Sequence, residues 1–209
     1  MKGFKRWAKK GLALGAVCAI TATSLPMTSI QALAAGEKDA KATKEDGLIL
    51  HYDFESLKNG TIVEDLSGNG KAGVVRPTGS QVTTEDVNIY GADQTAYKFL
   101  GGQPSNTNTY VELPVGVFND LEDITVSCWV NMKEAWGSYQ RIWDFGFKND
   151  KGQFNTTTYM YLLADGSNEG HKGYTAALTN SGWGNEKGPE KGKALATDEW
   201  IFTTVTFDG

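Results

Sequence analysis

Residues 124 to 131 read Ile-Thr-Val-Ser-Cys-Trp-Val-Asn, and they alternate without a break. Ile124, Val126, Cys128 and Val130 fall on one side, Thr125, Ser127, Trp129 and Asn131 on the other. A period of two belongs to an extended strand with one apolar face. Beyond a polar turn at 133–138 the period resumes, with Tyr139, Arg141, Trp143, Phe145 and Phe147 predicted to share one face of the next strand. Two adjacent strands rich in β-branched and aromatic residues predict the centre of an antiparallel sheet.

The rest of the chain keeps to this pattern. Further strands are expected at 48–55, 61–66, 72–75, 96–100, 110–113, 157–164, 174–179 and 200–207, separated by turn signals such as Asn59-Gly60 and Asp165-Gly166. Residues after Pro77 read as loop, 117–121 as at most one helical turn, and 181–196 as a Gly-, Lys- and Glu-rich loop carrying Trp183. No stretch of ten residues has helical periodicity. The fold class is therefore all-β, an antiparallel β-sandwich or jelly roll. Asp208-Gly209 is a hairpin signal with no strand behind it, so the domain is expected to be incomplete at its C-terminus.

The N-terminus has a different character. Lys2, Lys5, Arg6, Lys9 and Lys10 precede the apolar run Gly11 to Ile20, and Ala32 and Ala34 bracket Leu33 as a cleavage signal. Residues 1–34 are predicted to be a secretory signal peptide, because the run is too short to span a membrane, which takes about 20 apolar residues. Residues 35–46 are charged and lack aromatics, as a flexible leader does. Residues 47–209 remain as one domain.

Removing the five leader cations from the 20 basic residues leaves 15 against 25 acidic ones, a net charge of −10. Such a surface repels phosphate backbones and makes nucleic acid an unsuitable partner. Cys128 is left without a second cysteine, and its place on the apolar side of a strand predicts a buried, inert thiol.

Several motifs resemble a known family. Leu50-His51-Tyr52-Asp53-Phe54-Glu55 followed by Val63-Glu64-Asp65-Leu66-Ser67-Gly68-Asn69-Gly70 is similar to the opening of laminin-G-like, concanavalin A-like jelly-roll domains of secreted bacterial proteins. Tyr110 to Pro114, Ile124 to Val130 and Trp200 to Gly209 match successive later motifs, so the resemblance runs from about Leu48 to Gly209. It implies two curved antiparallel sheets, frequently attached to arabinan- or xylan-active glycoside hydrolases, to sialidases or to adhesins. It also implies a structural calcium near the first strand, to which Asp53 and Glu55 would contribute.

Catalysis on this fold needs two carboxylates on one face of a strand, roughly 5–10 Å apart. Asp53 and Glu55 have the spacing, but on an edge-like strand beside a glycine turn. Glu85-Asp86, Glu122-Asp123 and Asp198-Glu199 are sequence neighbours of the kind solvated loops carry. No catalytic residue is assigned. His51 and His171 share no context that would hold zinc. The turn at Asp65, Ser67 and Asn69 offers oxygen ligands of the kind calcium takes, and equally describes a plain hydrogen-bonded Asx turn.

Glycan binding uses aromatic platforms beside hydrogen-bonding side chains. Trp136 and Trp183 lie in polar, glycine-containing loops, and with Tyr139, Asn180, Asn185 and Glu186 near them in sequence they are the binding candidates. Trp129, Trp143 and Trp200 lie on strands where core packing is the default, although Trp129 beside Thr125, Ser127 and Asn131 could instead line a groove. The expected function is a non-catalytic carbohydrate-binding module of a secreted, extracellular or cell-surface bacterial protein, with a polysaccharide and a downstream catalytic domain as partners. The competing readings are the front of a glycoside hydrolase whose chemistry lies beyond residue 209, and an adhesin or spacer.

Overall fold

The computed structural model describes residues 47–55, 57–58, 60–77, 82–101, 108–133, 140–148, 153–165, 173–189 and 192–208. The predicted signal peptide and leader lie outside them, as do Trp136, Tyr139 and His171. The described residues form eleven strands, all antiparallel where they pair in sheets, and no α-helix. They fall into two compact units, one within Ser24–Phe118 and one within Asn119–Gly209.

In the first unit, β1 (Leu57–Lys58), β2 (Ile62–Val63), β3 (Gly73–Arg76) and β6 (Tyr110–Glu112) make a sheet in the order β1-β2-β3-β6. β4 (Thr83–Ile89) and β5 (Ala92–Lys98) form a separate hairpin. This hairpin corrects the expected loop after Pro77. Its turn is Tyr90-Gly91, with φ of 49° and 92°, the two positive values that a tight primed turn demands. The Asn88 side chain accepts the Gly91 N–H at 2.9 Å and donates to Asp93 at 2.8 Å. Glu85, which made the strand look too polar, pairs with Lys98 across the ladder.

Residues 48–55 were expected to be a strand, and they are not. Their backbone is spent on the Asp65 turn: Leu66 N–H donates to His51 O at 2.9 Å, and the Asn69 amide donates to Leu48 O and Ile49 O. Phe54 has a φ of 62°, which ends any extended run. Its ring instead packs 4.7 Å from that of Tyr97.

The Asp65 carboxylate organises this turn. Oδ1 accepts His51 N–H (3.1 Å) and Ser67 N–H (3.0 Å); Oδ2 accepts Ser67 Oγ–H (2.9 Å) and Lys71 N–H (2.8 Å). Partial burial alone would raise this carboxyl, yet the four donors outweigh it and hold it below its ordinary value. Both oxygens face N–H and O–H dipoles whose positive ends would repel a cation, so Asp65 does not fit a calcium ligand. Asn69 is committed to the loop carbonyls, Asp53 Oδ1 to Glu55 N–H at 3.0 Å, and Glu55 Oε1 to Thr95 N–H at 3.0 Å. Among the described residues no three His, Cys, Asp or Glu side chains gather in one place.

The second unit contains β7 (Ile124–Asn131), β8 (Gln140–Lys148), β9 (Phe154–Asp165), β10 (Thr175–Thr179) and β11 (Trp200–Phe207). β7 and β11 pair over eight residues, from Trp200 opposite Asn131 to Phe207 opposite Ile124. Ile124 on β7, together with Val205 and Phe207 on β11, meets Met160, Leu162, Ala176 and Leu178 from the sheet β10-β9-β8. Trp143 and Phe145 pack into the same cluster, stacked 4.8 Å apart. Cys128 lies half-buried on the core-facing side with its thiol pushed up by burial, in keeping with an inert group. The opposite side of β7–β11 carries hydroxyl pairs, Thr125 with Thr206 and Ser127 with Thr204, and the Trp129–Phe202 ring pair.

One prediction about β8 fails here. Arg141 stands opposite Leu163 and Trp143 opposite Leu162, so β8 spends two steps where β9 spends one. The extra residue is Ile142, and this bulge turns Arg141 away from the face of Trp143 and Phe145.

Two outcomes follow for the first unit. Gly73→Ala would set a Cβ 2.7 Å from Val111 Cγ1 and 2.9 Å from the Tyr52 hydroxyl, and is expected to destabilise by about 1–3 kcal/mol in urea unfolding. Because Asp65 titrates lower when folded than unfolded, its contribution is complete above the ordinary aspartate range and is lost as pH falls through its lowered value. Asp65→Asn should lower the melting temperature at pH 7 and flatten the acid limb of the stability profile, whereas EDTA should leave the melting temperature of the unmodified protein unchanged.

Candidate functional site

From Met160 to Ala164, strand β9 is buried on both sides. Its even positions Met160 and Leu162 enter the core, and its odd positions Tyr159, Tyr161 and Leu163 form the opposite face together with Ala177 of β10. The tyrosines do not stand there alone. Asp144 lies opposite Tyr161, Gly146 opposite Tyr159, and, because of the Ile142 bulge, Arg141 opposite Leu163. Directly paired residues on a sheet share a face, so these side chains are gathered on one surface.

The loop 181–188 supplies the rest. Gly182 N–H donates to Thr157 O at 2.9 Å, and Thr179 Oγ–H donates to Gly182 O at 3.0 Å, which fixes the start of the loop beside β9. A 3-10 turn, Trp183–Asn185, follows. Lys187 then exchanges both backbone hydrogen bonds with Leu178, each 2.8 Å, so the chain returns along the outer edge of β10. That approach is possible because residue 188 is glycine: a Cβ there would lie 2.1 Å from Ala176 O.

Between these two anchors Glu186 is delivered over the tyrosines. Its Oε1 accepts the Tyr159 hydroxyl at 2.6 Å and its Oε2 the Tyr161 hydroxyl at 2.8 Å. The two rings stack with centroids 6.1 Å apart and an interplanar angle of 21°. The Arg141 guanidinium lies 3.6 Å over the Tyr161 ring and its Nε sits 3.2 Å from Asp144 Oδ2, a cation–π contact with an ion pair beside it.

The electrostatics follow from this crowding. Burial, then the hydrogen bond and charge of Glu186, push Tyr161 up to about 12, and the same causes raise Tyr159 further. Both phenols therefore remain protonated donors at any ordinary pH. Burial raises the Asp144 carboxyl, Arg141 opposes that, and the negative charge of Glu186 adds to it. The phenol protons are spent on Glu186, so what the arrangement offers a ligand is the Asp144 carboxylate and the Arg141 guanidinium beside aromatic surface. Such groups can hold a polyhydroxylated ligand in one orientation.

Of the predicted binding residues, Trp183 is 74 % exposed on its turn. Asn185 is exposed as well, but its amide donates to Ser181 O at 3.1 Å and helps close the turn. Trp136 and Tyr139 lie outside the described residues. Trp143 belongs to the core, as its strand position implied. The sequence reading did not single out Tyr159, Tyr161, Arg141 or Glu186 as a group. The alternation Tyr159-Met160-Tyr161-Leu162 was the available signal for the first two. Glu186 is among the loop candidates beside Trp183, but its partners, 25 and 27 residues away, are not legible from the loop.

Gly188→Ala should detach the returning arm of the loop. Amide exchange at Leu178 and Lys187 is expected to accelerate, while exchange in β7 and β11 stays as in the unmodified protein.

The family model of the concanavalin A-like lectin/glucanases superfamily matches residues 105–209. No curated protein matches the chain. Among solved structures, the chain is similar to an S-layer domain-containing protein of Clostridium thermocellum, with 22 % identity and a TM-score of 0.47, over 72 % of this chain and 60 % of that one. With its all-β antiparallel sheets, and with half of its length matched by the family model, the chain belongs to the concanavalin A-like lectin/glucanases superfamily.

Proposed function

We propose that the chain is a non-catalytic carbohydrate-binding module of a secreted bacterial glycan-degrading protein, binding a neutral polysaccharide on the face formed by Tyr159, Glu186 and the Trp183 turn. The observation that carries this reading is Trp183. An indole left 74 % exposed gains nothing for folding, yet it tops a turn that is hydrogen-bonded at both ends to the sheet. Large flat aromatics held on rigid turns suit the apolar faces of sugar rings, and neighbouring carboxylates and phenols suit their hydroxyls. The acidic balance of the chain disfavours anionic polymers.

In this reading the module tethers a catalytic domain carried by the same polypeptide and raises its effective concentration on an insoluble substrate. The predicted signal peptide supports export to the extracellular space or cell surface. No helix among the described residues is long and apolar enough to cross a membrane.

Trp183→Ala tests the reading. Retention of the protein in gels containing soluble arabinan or arabinoxylan should be lost, with the melting temperature unchanged. Equal retention of the variant and the unmodified protein would refute the assignment of Trp183.

A further inference from the structure

The least conspicuous residue of the site is Gly146. It stands opposite Tyr159 on the exposed face of β8. A Cβ built there would meet only Thr158 O and Tyr159 Cβ, both at 3.9 Å, which is ordinary contact. Its φ is not among the positive ones, so neither backbone conformation nor crowding calls for glycine here. What the missing side chain leaves is a notch against the flank of Tyr159, whose hydroxyl is pinned by Glu186 at 2.6 Å.

Asp144 lies two residues along the same face, about 7 Å away at the rise of a strand, the reach of one sugar ring. Its Oδ2 is held by Arg141 Nε at 3.2 Å, and no bond to its Oδ1 is found among the described residues. The side chains of Asp144 and Arg141 are 46 % and 32 % exposed. An accepting carboxylate oxygen therefore sits beside a guanidinium that has further N–H donors to offer. That pair matches two adjacent hydroxyl groups, one donating to Asp144 and one accepting from Arg141.

We propose that Gly146 is the floor of a single-sugar subsite, with the Tyr159 ring as its wall and the Asp144–Arg141 pair as its polar end, and that it takes an uncharged sugar residue with a free vicinal diol. The proposal rests on the glycan-binding reading above and adds to it a location and a ligand class. A uronate would bring its carboxylate toward Asp144 and Glu186 and is excluded by charge. An apolar residue would leave the Asp144–Arg141 pair desolvated without partners.

The test uses the full chain in affinity electrophoresis and calorimetry against arabinan, neutral arabinoxylan and polygalacturonate. Arabinan oxidised with periodate and then reduced with borohydride, which destroys vicinal diols, is the fourth probe. Gly146→Gln, which fills the notch, and Asp144→Asn should each weaken binding to the neutral polymers by at least about tenfold, a change of ~1.4 kcal/mol, with unchanged melting temperature. Oxidised arabinan and polygalacturonate should not bind. If Trp183→Ala abolishes binding while Gly146→Gln and Asp144→Asn remain within about twofold of the unmodified protein, the subsite is wrong and the glycan-binding reading stands. Retained binding of oxidised arabinan overturns the diol, and preference for polygalacturonate overturns the neutral class. An unmodified protein that binds none of the polymers overturns both readings together.

Discussion

Strand β9 must bury both of its faces, and the second unit is shaped by how each is covered. Met160 and Leu162 are satisfied by the core they share with Val205 and Phe207. Tyr161 is buried on the other side to 2 % exposure, and its hydroxyl cannot be left dry without a partner. Glu186 meets that requirement for Tyr161 and Tyr159 at once. Everything that holds Glu186 in place, from the Gly182 anchor to the close passage of Gly188, is thereby tied to the stability of the sheet. A solvent-facing loop has become part of the packing, and the exposed Trp183 turn inherits that rigidity.

The first unit solves a comparable problem with one carboxylate. Four donors converge on Asp65 from three residues, Ser67 and Lys71 of its own turn and His51 of the preceding segment. Segment 48–55 is held by that turn and by side chains rather than by a ladder. Asp65 thus ties the segment to the turn through hydrogen bonds alone.

What was legible in the sequence is what depends on local pattern. The undiluted alternation of Ile124 to Asn131 and of Trp200 to Phe207 located β7 and β11 almost to the residue. Of the hairpin β4–β5, only the end of β5 was foreseen, at 96–100; β4 was hidden because Glu85 and Asp86 break the apolar rhythm, and because a tyrosine occupies the turn position where asparagine is the usual signal. Residues 48–55 alternate like a strand, but their pairing is decided by Asp65, which lies beyond any local window. In the candidate site, the exposure of Trp183 follows from its polar surroundings and was readable. The union of Arg141 with Asp144 and of Glu186 with the tyrosines was not, since a bulge and two long-range hydrogen bonds create it.

The bulge at Ile142 also bears on how such chains diverge. One residue there decides whether an arginine meets solvent or core, so a single deletion would erase the polar end of the site and insert a charge among aromatic rings in the same event. Related sequences are therefore expected to keep the length of this strand even where its side chains vary. An alignment that passes Ile142 without respecting that length would equate residues of opposite faces, and would hide the kinship of sites that differ only in what covers residue 146.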